Sequence, residues 1–530
     1  MIEDQIQQLR SRSTELFIRE EWTESIQICT QLISLCHSQI PNPNPDHNLT
    51  KLHKTLALAY SNRAESWAKL KNIDAALSDC ESALKIEGTH FKTLMCKGRI
   101  LLGLHKYSAA SDCFKLGLLD SQANGNAEEV YGYLEKCKRL DLLSKSGVID
   151  LSCWVLSGFK GRVPELWEYI GPVEIRKSEV SGRGLFATRN VEVGGVLLVT
   201  EAVAVARGFV PELSEKCQLV IWSSFVEKVM TCVENCGHIR RLVSFLSSGD
   251  DEDELEVPDI DTHRPESEPK GADVNKIEKS RILNLLDVNS MVEGVAPAKV
   301  LGTNGGLYGV GLWLLPSYIN HSCCPNARRL HIGDHVIVLA SRDIKAGEEL
   351  TFAYFDVFKP LEKRREMLAT WGFICRCRRC EFEERVLSNT EMSEIEIGLE
   401  NGLETGNGVF KLEESMKKWN LRGGKEKGFL RASFLSAYVG TYKCERMMRK
   451  WGRRIPPKEA VVESVAEAVG SDERLLMMAV EGLKGGGGTV YGGAAMVDME
   501  RAFKLGRGVY GKTMKKQAMK SLLELGISKR

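Results

Sequence analysis

The sequence predicts a multidomain α+β chain, helical at both ends and β-rich in its centre. Three observations point there. A self-similarity with a period of 34 residues runs through the first 120 residues. Short runs rich in Val, Ile and Leu, divided by glycines, begin at Val173. Beyond residue 385 the apolar residues recur at helical spacing. At 530 residues the chain is too long for one core, and roughly two to four domains are expected. They fall as helical repeats over 1–125, a helical connector over 126–171, a β-rich module over 172–382 with an insert at about 207–297, and a helical domain over 383–530.

Charge gives no global address. Lys and Arg number 72 against 71 Asp and Glu, a net charge of +1, so nothing suggests direct nucleic-acid binding or membrane adhesion. The start, Met1-Ile-Glu-Asp-Gln, is acidic and argues against a signal peptide. The most apolar stretch, Val193 to Val210, is interrupted by Glu201 and Arg207 and is no membrane span. Sixteen cysteines without a secretory address point to a reducing compartment, nucleus or cytoplasm or both, and to thiols and metal rather than disulfides. The sequons at Asn48 and Asn320 then carry no meaning.

In the N-terminal repeat, Ala64, Ala75, Ala76 and Leu84 align with Gly98, Ala109, Ala110 and Leu118. Small residues let paired helices approach, and Trp67, Leu77, Leu101 and Phe114 fill the gaps between them. Thr14 to Leu35 reads as an earlier copy, set apart by the loop Pro41-Asn-Pro-Asn-Pro45. This stretch, about residues 5 to 122, resembles tetratricopeptide repeats, which stack helix pairs around a concave surface. The resemblance implies a helix-lined groove for a protein partner. Asn62 and Lys92 match two positions that grip a C-terminal carboxylate in some such repeats, so a chaperone tail is one implied partner. Arg10, Thr14 and Cys96 depart from the other three positions.

The run Cys375-Arg-Cys-Arg-Arg-Cys380 places three thiols one and two residues apart. Such spacing converges on one ion, and Zn²⁺ takes four N/S ligands in a tetrahedron. A fourth ligand must come from elsewhere, and Asn320-His-Ser-Cys-Cys-Pro-Asn326 offers Cys323 or Cys324.

Between these landmarks lie β-type runs: Val173-Glu-Ile-Arg, Gly182-Arg-Gly-Leu-Phe-Ala187, Val196-Leu-Leu-Val199 and His335-Val-Ile-Val-Leu-Ala340. Glu348-Glu-Leu-Thr-Phe-Ala-Tyr354 reads as another strand, with Leu350, Phe352 and Tyr354 on one face. Trp371-Gly-Phe-Ile leads into the cysteine run. In this order the segments resemble a SET-domain protein lysine methyltransferase with a split SET domain and a cysteine-rich post-SET segment at 371–382. The match covers about 172–205 and 298–382. The long insert and helical tail are similar to the SET-and-MYND group, although the zinc-binding MYND finger is missing. Cys217, Cys232, Cys236 and His238 in the insert are spaced unlike it and read as helix positions.

The resemblance implies S-adenosylmethionine as cofactor and a protein lysine, histone or otherwise, as substrate. Tyr354 matches the catalytic tyrosine, its hydroxyl orienting the amine and the departing methyl. Arg183, Gly184, Asn320 and His321 match residues around the cofactor, with Tyr354 beside them, and Phe373 matches an aromatic that stacks on adenine. One structural zinc is implied at Cys323, Cys375, Cys377 and Cys380, since the family's ligand directly follows His-Ser. Methyl transfer to lysine is an in-line displacement needing an aligned, neutral amine, so one tyrosine and shaping residues suffice.

An Asn-x-Phe segment that lines the lysine channel in relatives is replaced by Thr303-Asn-Gly-Gly306, which implies a differently walled channel. Residues 247–272, with Asp250 to Glu256, read as an acidic, disordered linker between helices at about 212–246 and 273–294. Helices are expected at Lys458–Val469, Asp472–Leu483 and Met496–Leu505, with a break at Gly485–Gly488. The competing functional class is a non-catalytic adaptor that keeps the SET fold for structure.

Overall fold

The computed structural model describes all residues except 1, 40–48, 121–124, 211–214, 250–254, 268–275, 294–298, 301–306, 388–389, 422, 486–492 and 529–530. The Pro41–Pro45 loop, Thr303–Gly306, most of the acidic run and most of the glycine break lie outside the described residues. The chain packs as two compact units. The first comprises Met1–Ser146, Val226–Leu246 and Asp261–Leu283; the second comprises Gly147–Phe225, Ser247–Ile260 and Asn284–Arg530.

The first unit begins with seven helices: α1 (Ile2–Ile18), α2 (Trp22–Gln39), α3 (Leu49–Lys69), α4 (Ile73–Ile86), α5 (Phe91–Gly103), α6 (Tyr107–Gly117) and α7 (Ala127–Ser146). The starts of α4 and α6 lie 34 residues apart, 107 minus 73, which is the sequence period. Asn72 caps α4, its Oδ1 accepting the Ala75 N–H at 3.2 Å. Ala64, Ala76, Cys80, Cys96 and Ile100 form one buried cluster, with Trp67 and Leu77 packed at its margin. A second gathers Leu94, Phe114, Val130 and Cys137, so the core continues into α7 past the expected boundary at 125.

A Cβ on Gly98 would stand 2.5 Å from the Phe114 ring, so the close approach of α5 and α6 requires this glycine. Gly98→Val should cost about 1–3 kcal/mol through overpacking. Hydrogen exchange over 91–117 would accelerate in that variant; unchanged protection would show that the two helices part without strain.

Of the residues compared with a carboxylate clamp, Asn62 and Cys96 are buried, Lys92 is half-buried, and Arg10 and Thr14 are exposed. Lys92 Nζ donates to Asn62 Oδ1 at 2.7 Å and lies 4.0 Å over the Phe17 ring. Burial pushes its amine below the usual lysine value. Thr14 donates to the Arg10 carbonyl and Cys96 is buried.

Part of the insert belongs to this unit. Gly237, at the start of the helix Gly237–Ser244, donates its N–H to Asp74, and the Ser108 N–H donates to Glu266. Residues 255–267, expected within a disordered linker, are therefore structured in part. They hold a 3₁₀ turn at Ile260–His263 with His263 buried. A carboxylate at the first turn of α6 has a specific use, satisfying an N–H that the helix leaves unpaired.

Among the described residues the second unit carries twelve strands: β1 (Tyr169–Ile170), β2 (Val173–Lys177), β3 (Arg183–Ala187), β4 (Val196–Glu201), β5 (Ala204–Phe209), β6 (Met291–Glu293), β7 (Lys299–Val300), β8 (Leu307–Leu312), β9 (Asn320–His321), β10 (Ala327–Ile332), β11 (His335–Ala340) and β12 (Thr351–Phe352). They form a five-stranded sheet in the order β1-β4-β11-β10-β7, a three-stranded sheet β5-β8-β6, and the pairs β2-β3 and β12-β9. β11 is almost wholly apolar and buried on both faces, as a covered central strand must be. β10 is equally buried yet contains Arg328, Arg329 and His331.

Glu348–Tyr354 does not form one strand. Its first part bonds to β3, with Ala187 N–H to Glu348 O and Leu350 N–H to Leu185 O. From Thr351 the chain pairs in parallel with β9 instead. A segment that changes partner midway cannot keep one ladder, so only Thr351–Phe352 is regular and Tyr354 lies beyond it. The tail is helical, including Gly424–Ser433, Lys458–Val469, Glu473–Gly485 and Gly493–Tyr510. Among the described residues no helix is long and apolar enough to cross a membrane.

Candidate active site and metal centre

The Asn320–Asn326 run is pinned to the 348–354 segment by side-chain hydrogen bonds. Asn326 Nδ2 donates to the Glu349 carbonyl at 2.8 Å, and its Oδ1 accepts the Thr351 N–H at 2.8 Å. This registers β9 against β12 and brings His321 beside Tyr354. The Tyr354 N–H donates to His321 Nδ1 at 3.2 Å, and the Tyr354 hydroxyl donates to the Ile319 carbonyl at 3.1 Å. His321 stacks on Phe355 with centroids 4.8 Å apart, and lies 5.3 Å from Tyr354 and 6.0 Å from Phe373. Tyr354 is also 5.7 Å from Trp371, which stacks on Phe355 at 6.1 Å. Burial pushes the Tyr354 phenol up to about 12, with the Arg329 charge opposing. At neutral pH it is a neutral hydrogen-bonding group.

Asn320 faces the opposite way, toward β3. Its Nδ2 donates to the Ser181 and Arg183 carbonyls and to Glu349 Oε1 at 2.8 Å. The same Glu349 oxygen accepts from Ser178 Oγ at 2.7 Å. A Cβ on Gly184 would collide with that carboxylate, so the glycine is needed for its approach. Gly182 forms the preceding turn at φ +46°. Arg183 is buried, donating to the Glu256 carbonyl at 3.2 Å and lying 5.3 Å from the Tyr318 ring centroid. The side chains of Asn320 and Arg183 thus brace the β3 edge.

Cys323, Cys375, Cys377 and Cys380 bring their Sγ atoms within 4.8 Å of one another. Hydrogen bonding from Cys323 holds Cys375 at about 5 and Cys377 well below the usual thiol value, while Cys323 itself is pushed well up against Cys375. Four thiols so crowded cannot all ionise unless a cation joins them, and the donor set suits zinc. Cys324 is outside the group of four. Its thiol is pushed up by hydrogen bonding to Cys377 and by burial, and it accepts from Ser322 Oγ at 3.6 Å.

The surroundings of this cluster are not legible in the sequence. Arg364 donates to Cys380 Sγ at 3.6 Å and to Glu383 at 2.8 Å. Arg379 donates to the Cys323 and Val357 carbonyls and to Glu383 Oε1. Both guanidinium groups also reach Ser433 Oγ on the C-terminal helix Gly424–Ser433. Two fully buried cations beside a thiolate cluster offset its negative charge and orient it. The arginines could be counted in the cysteine run, but no local pattern pointed to Ser433. Cys217, Cys232, Cys236 and His238 form no such group among the described residues.

Residues 182–355 match the family model described as SET domain. The chain carries a SET domain. Its Asn320–Asn326 run, Gly184 and Tyr354 all fall inside the match. A "Methyltransferase" of Gibberella zeae is 25% identical over 346 residues, covering 61% of this chain and 46% of that one. The histone-lysine N-methyltransferase SMYD3 of Mus musculus is 42% identical over 78 residues, covering 14% of this chain and 18% of its own. The histone-lysine N-methyltransferase SET5 of Eremothecium gossypii is 36% identical over 99 residues, covering 18% of this chain and 19% of its own. The chain thus spans about half or less of the curated relatives it matches. Among solved structures, the "TPR2B-domain:pHsp70-complex of yeast Sti1" aligns at 20% identity and TM-score 0.21, covering 26% of this chain and 97% of that one.

Proposed function

We propose that this chain is an S-adenosylmethionine-dependent protein-lysine N-methyltransferase whose helical-repeat unit binds a protein partner. The observation that carries the reading is the convergence of Tyr354, His321 and Phe373 beside a four-cysteine cluster, all within or next to the SET domain. Bound S-adenosylmethionine supplies a methyl group activated on a sulfonium. The protein's share is to hold an amine in line with it and to exclude water.

Tyr354 fits the first task. Its hydroxyl sits beside the Ile319 carbonyl, so an amine arriving there meets both an oxygen acceptor and a phenol held by its own backbone. The ring wall of Phe355, Trp371 and Phe373 fits the second. The β3 edge, with Gly184 and the braced Asn320, shapes the neighbouring wall. Cys323, Cys375, Cys377 and Cys380 would hold one zinc with no position left for water, so its role is structural. Four ligands from two distant segments would tie the Phe373 segment to the Asn320–Asn326 run.

Incubating the purified chain with methyl-labelled S-adenosylmethionine and a cell extract tests the reading. Label should appear on extract proteins as methyl-lysine. Absence of transfer, with cofactor binding intact, would favour an adaptor with a structural SET fold.

A further inference from the structure

Four other buried arginines of this unit, Arg328, Arg364, Arg379 and Arg431, have carboxylates. Arg328 pairs with Asp472 at 2.8 Å, Arg364 and Arg379 share Glu383, and Arg431 holds Glu413. Arg329, the next residue on β10, does not. It is buried, with 6% of its surface exposed; among the described residues it makes no ion pair, and its buried Nε has no hydrogen-bond partner. Its contact is with a ring: the guanidinium lies 4.4 Å over Phe352. Phe352 in turn lies 5.7 Å from Tyr354.

An unpaired charge in a protein interior is costly, and a cation–π contact offsets only part of that cost. A methionine or leucine would fill the same space on a buried central strand without it. The charge therefore calls for a use where it stands, which is behind the tyrosine that receives the amine. We propose that Arg329 is a positioning residue whose fixed positive charge keeps the substrate's acceptor amine deprotonated. This rests on the methyltransferase reading.

The logic is that of like charges. A cation near a lysine amine disfavours the ammonium form and lowers its pKa. Methyl transfer needs the nitrogen lone pair, so every ammonium kept out of the site raises the reactive fraction. Burial brings Arg329 down to about 10, and it stays charged across the neutral range.

Arg328, Asp356, Asp472 and Arg474 line one cavity with Arg329 and Phe352, but they pair among themselves. His331, on the same face of β10, is held neutral by burial, down to about 3. Among the described residues, Glu349 is the acidic group that acts on Tyr354, and it would oppose Arg329. His321 accepts from the Tyr354 backbone. Across the ladder from Arg329 stands Val338.

The test compares wild type with Arg329→Met, Arg329→Gln and Arg329→Lys. Thermal unfolding is read first, then methyl transfer from labelled cofactor to a mixed extract between pH 6.5 and 9.5. Removing an unpaired buried charge should leave the melting temperature equal or higher in Arg329→Met. The acidic limb of its rate profile should move up by about one pH unit, roughly a tenfold loss at pH 7.5. Arg329→Gln should move the limb the same way, and Arg329→Lys should keep it near the wild-type position. A limb that stays in place in both neutral variants would overturn the proposal, as would a melting temperature lowered by several degrees in both. If the wild type transfers no methyl at any pH, it is the methyltransferase reading that fails instead.

Discussion

Tyr354→Phe should lose about a hundred- to a thousandfold in turnover while folding normally and binding S-adenosylmethionine nearly as well as the wild type. The substitution removes one oxygen and leaves the ring, so the packing against His321, Phe352 and Trp371 persists. The Tyr354 N–H to His321 bond is a backbone contact and also persists. What goes is the hydroxyl and its hydrogen bond to the Ile319 carbonyl, a loss of about 1 kcal/mol at rest and a larger one while an amine is held for attack. Because burial raises the phenol to about 12, Tyr354 stays protonated throughout the assay range. The wild-type rate should therefore show no falling limb from this group below about pH 11. Single-turnover methyl transfer and calorimetric cofactor titration on the same preparation check both halves. Undiminished turnover would remove Tyr354 from the mechanism.

The larger structural effect is expected from the metal cluster. Cys377→Ser should lose zinc and most cofactor affinity together, whereas Cys324→Ser should lose neither. A structural zinc of this kind contributes on the order of 10 kcal/mol to folding, so one missing ligand unravels the loop it closes. Phe373 lies two residues before Cys375 and owes its place near Tyr354 and His321 to that loop. Cofactor binding should then fall although no cysteine touches the cofactor. Cys324 adjoins the cluster and leans on Cys377, but it is not one of the four converging thiols. Metal content by mass spectrometry, read beside cofactor titration, separates the two variants. Zinc retained in Cys377→Ser, or lost in Cys324→Ser, would show that the ligand set is different.

Local chemistry carried a large part of this protein in the sequence itself. The 34-residue period, the small residues at Ala64, Ala76 and Gly98, and the later helices follow from side-chain size and helical spacing. Those are properties of neighbours along the chain. The cysteine run announced a thiol cluster for the same reason, since three thiols within six residues are close along the chain, whereas the fourth, Cys323, is brought in by the fold.

Other features depended on segments meeting from far apart. The 348–354 stretch alternates like a strand, yet it exchanges β3 for β9 midway, and no local pattern encodes a change of partner. Glu266 and Asp74 look like ordinary surface acids in the sequence. In the fold they satisfy the amides of Ser108 and Gly237, which structures part of a segment read as linker. The same holds for β10. In sequence Arg328 and Arg329 are two adjacent basic residues of one chemistry. A strand turns them to opposite faces, so one meets Asp472 and the other lies over the ring of Phe352. Their charge was written in the sequence; which of them would be neutralised was decided by the tertiary structure, because only packing determines what stands across from a buried side chain.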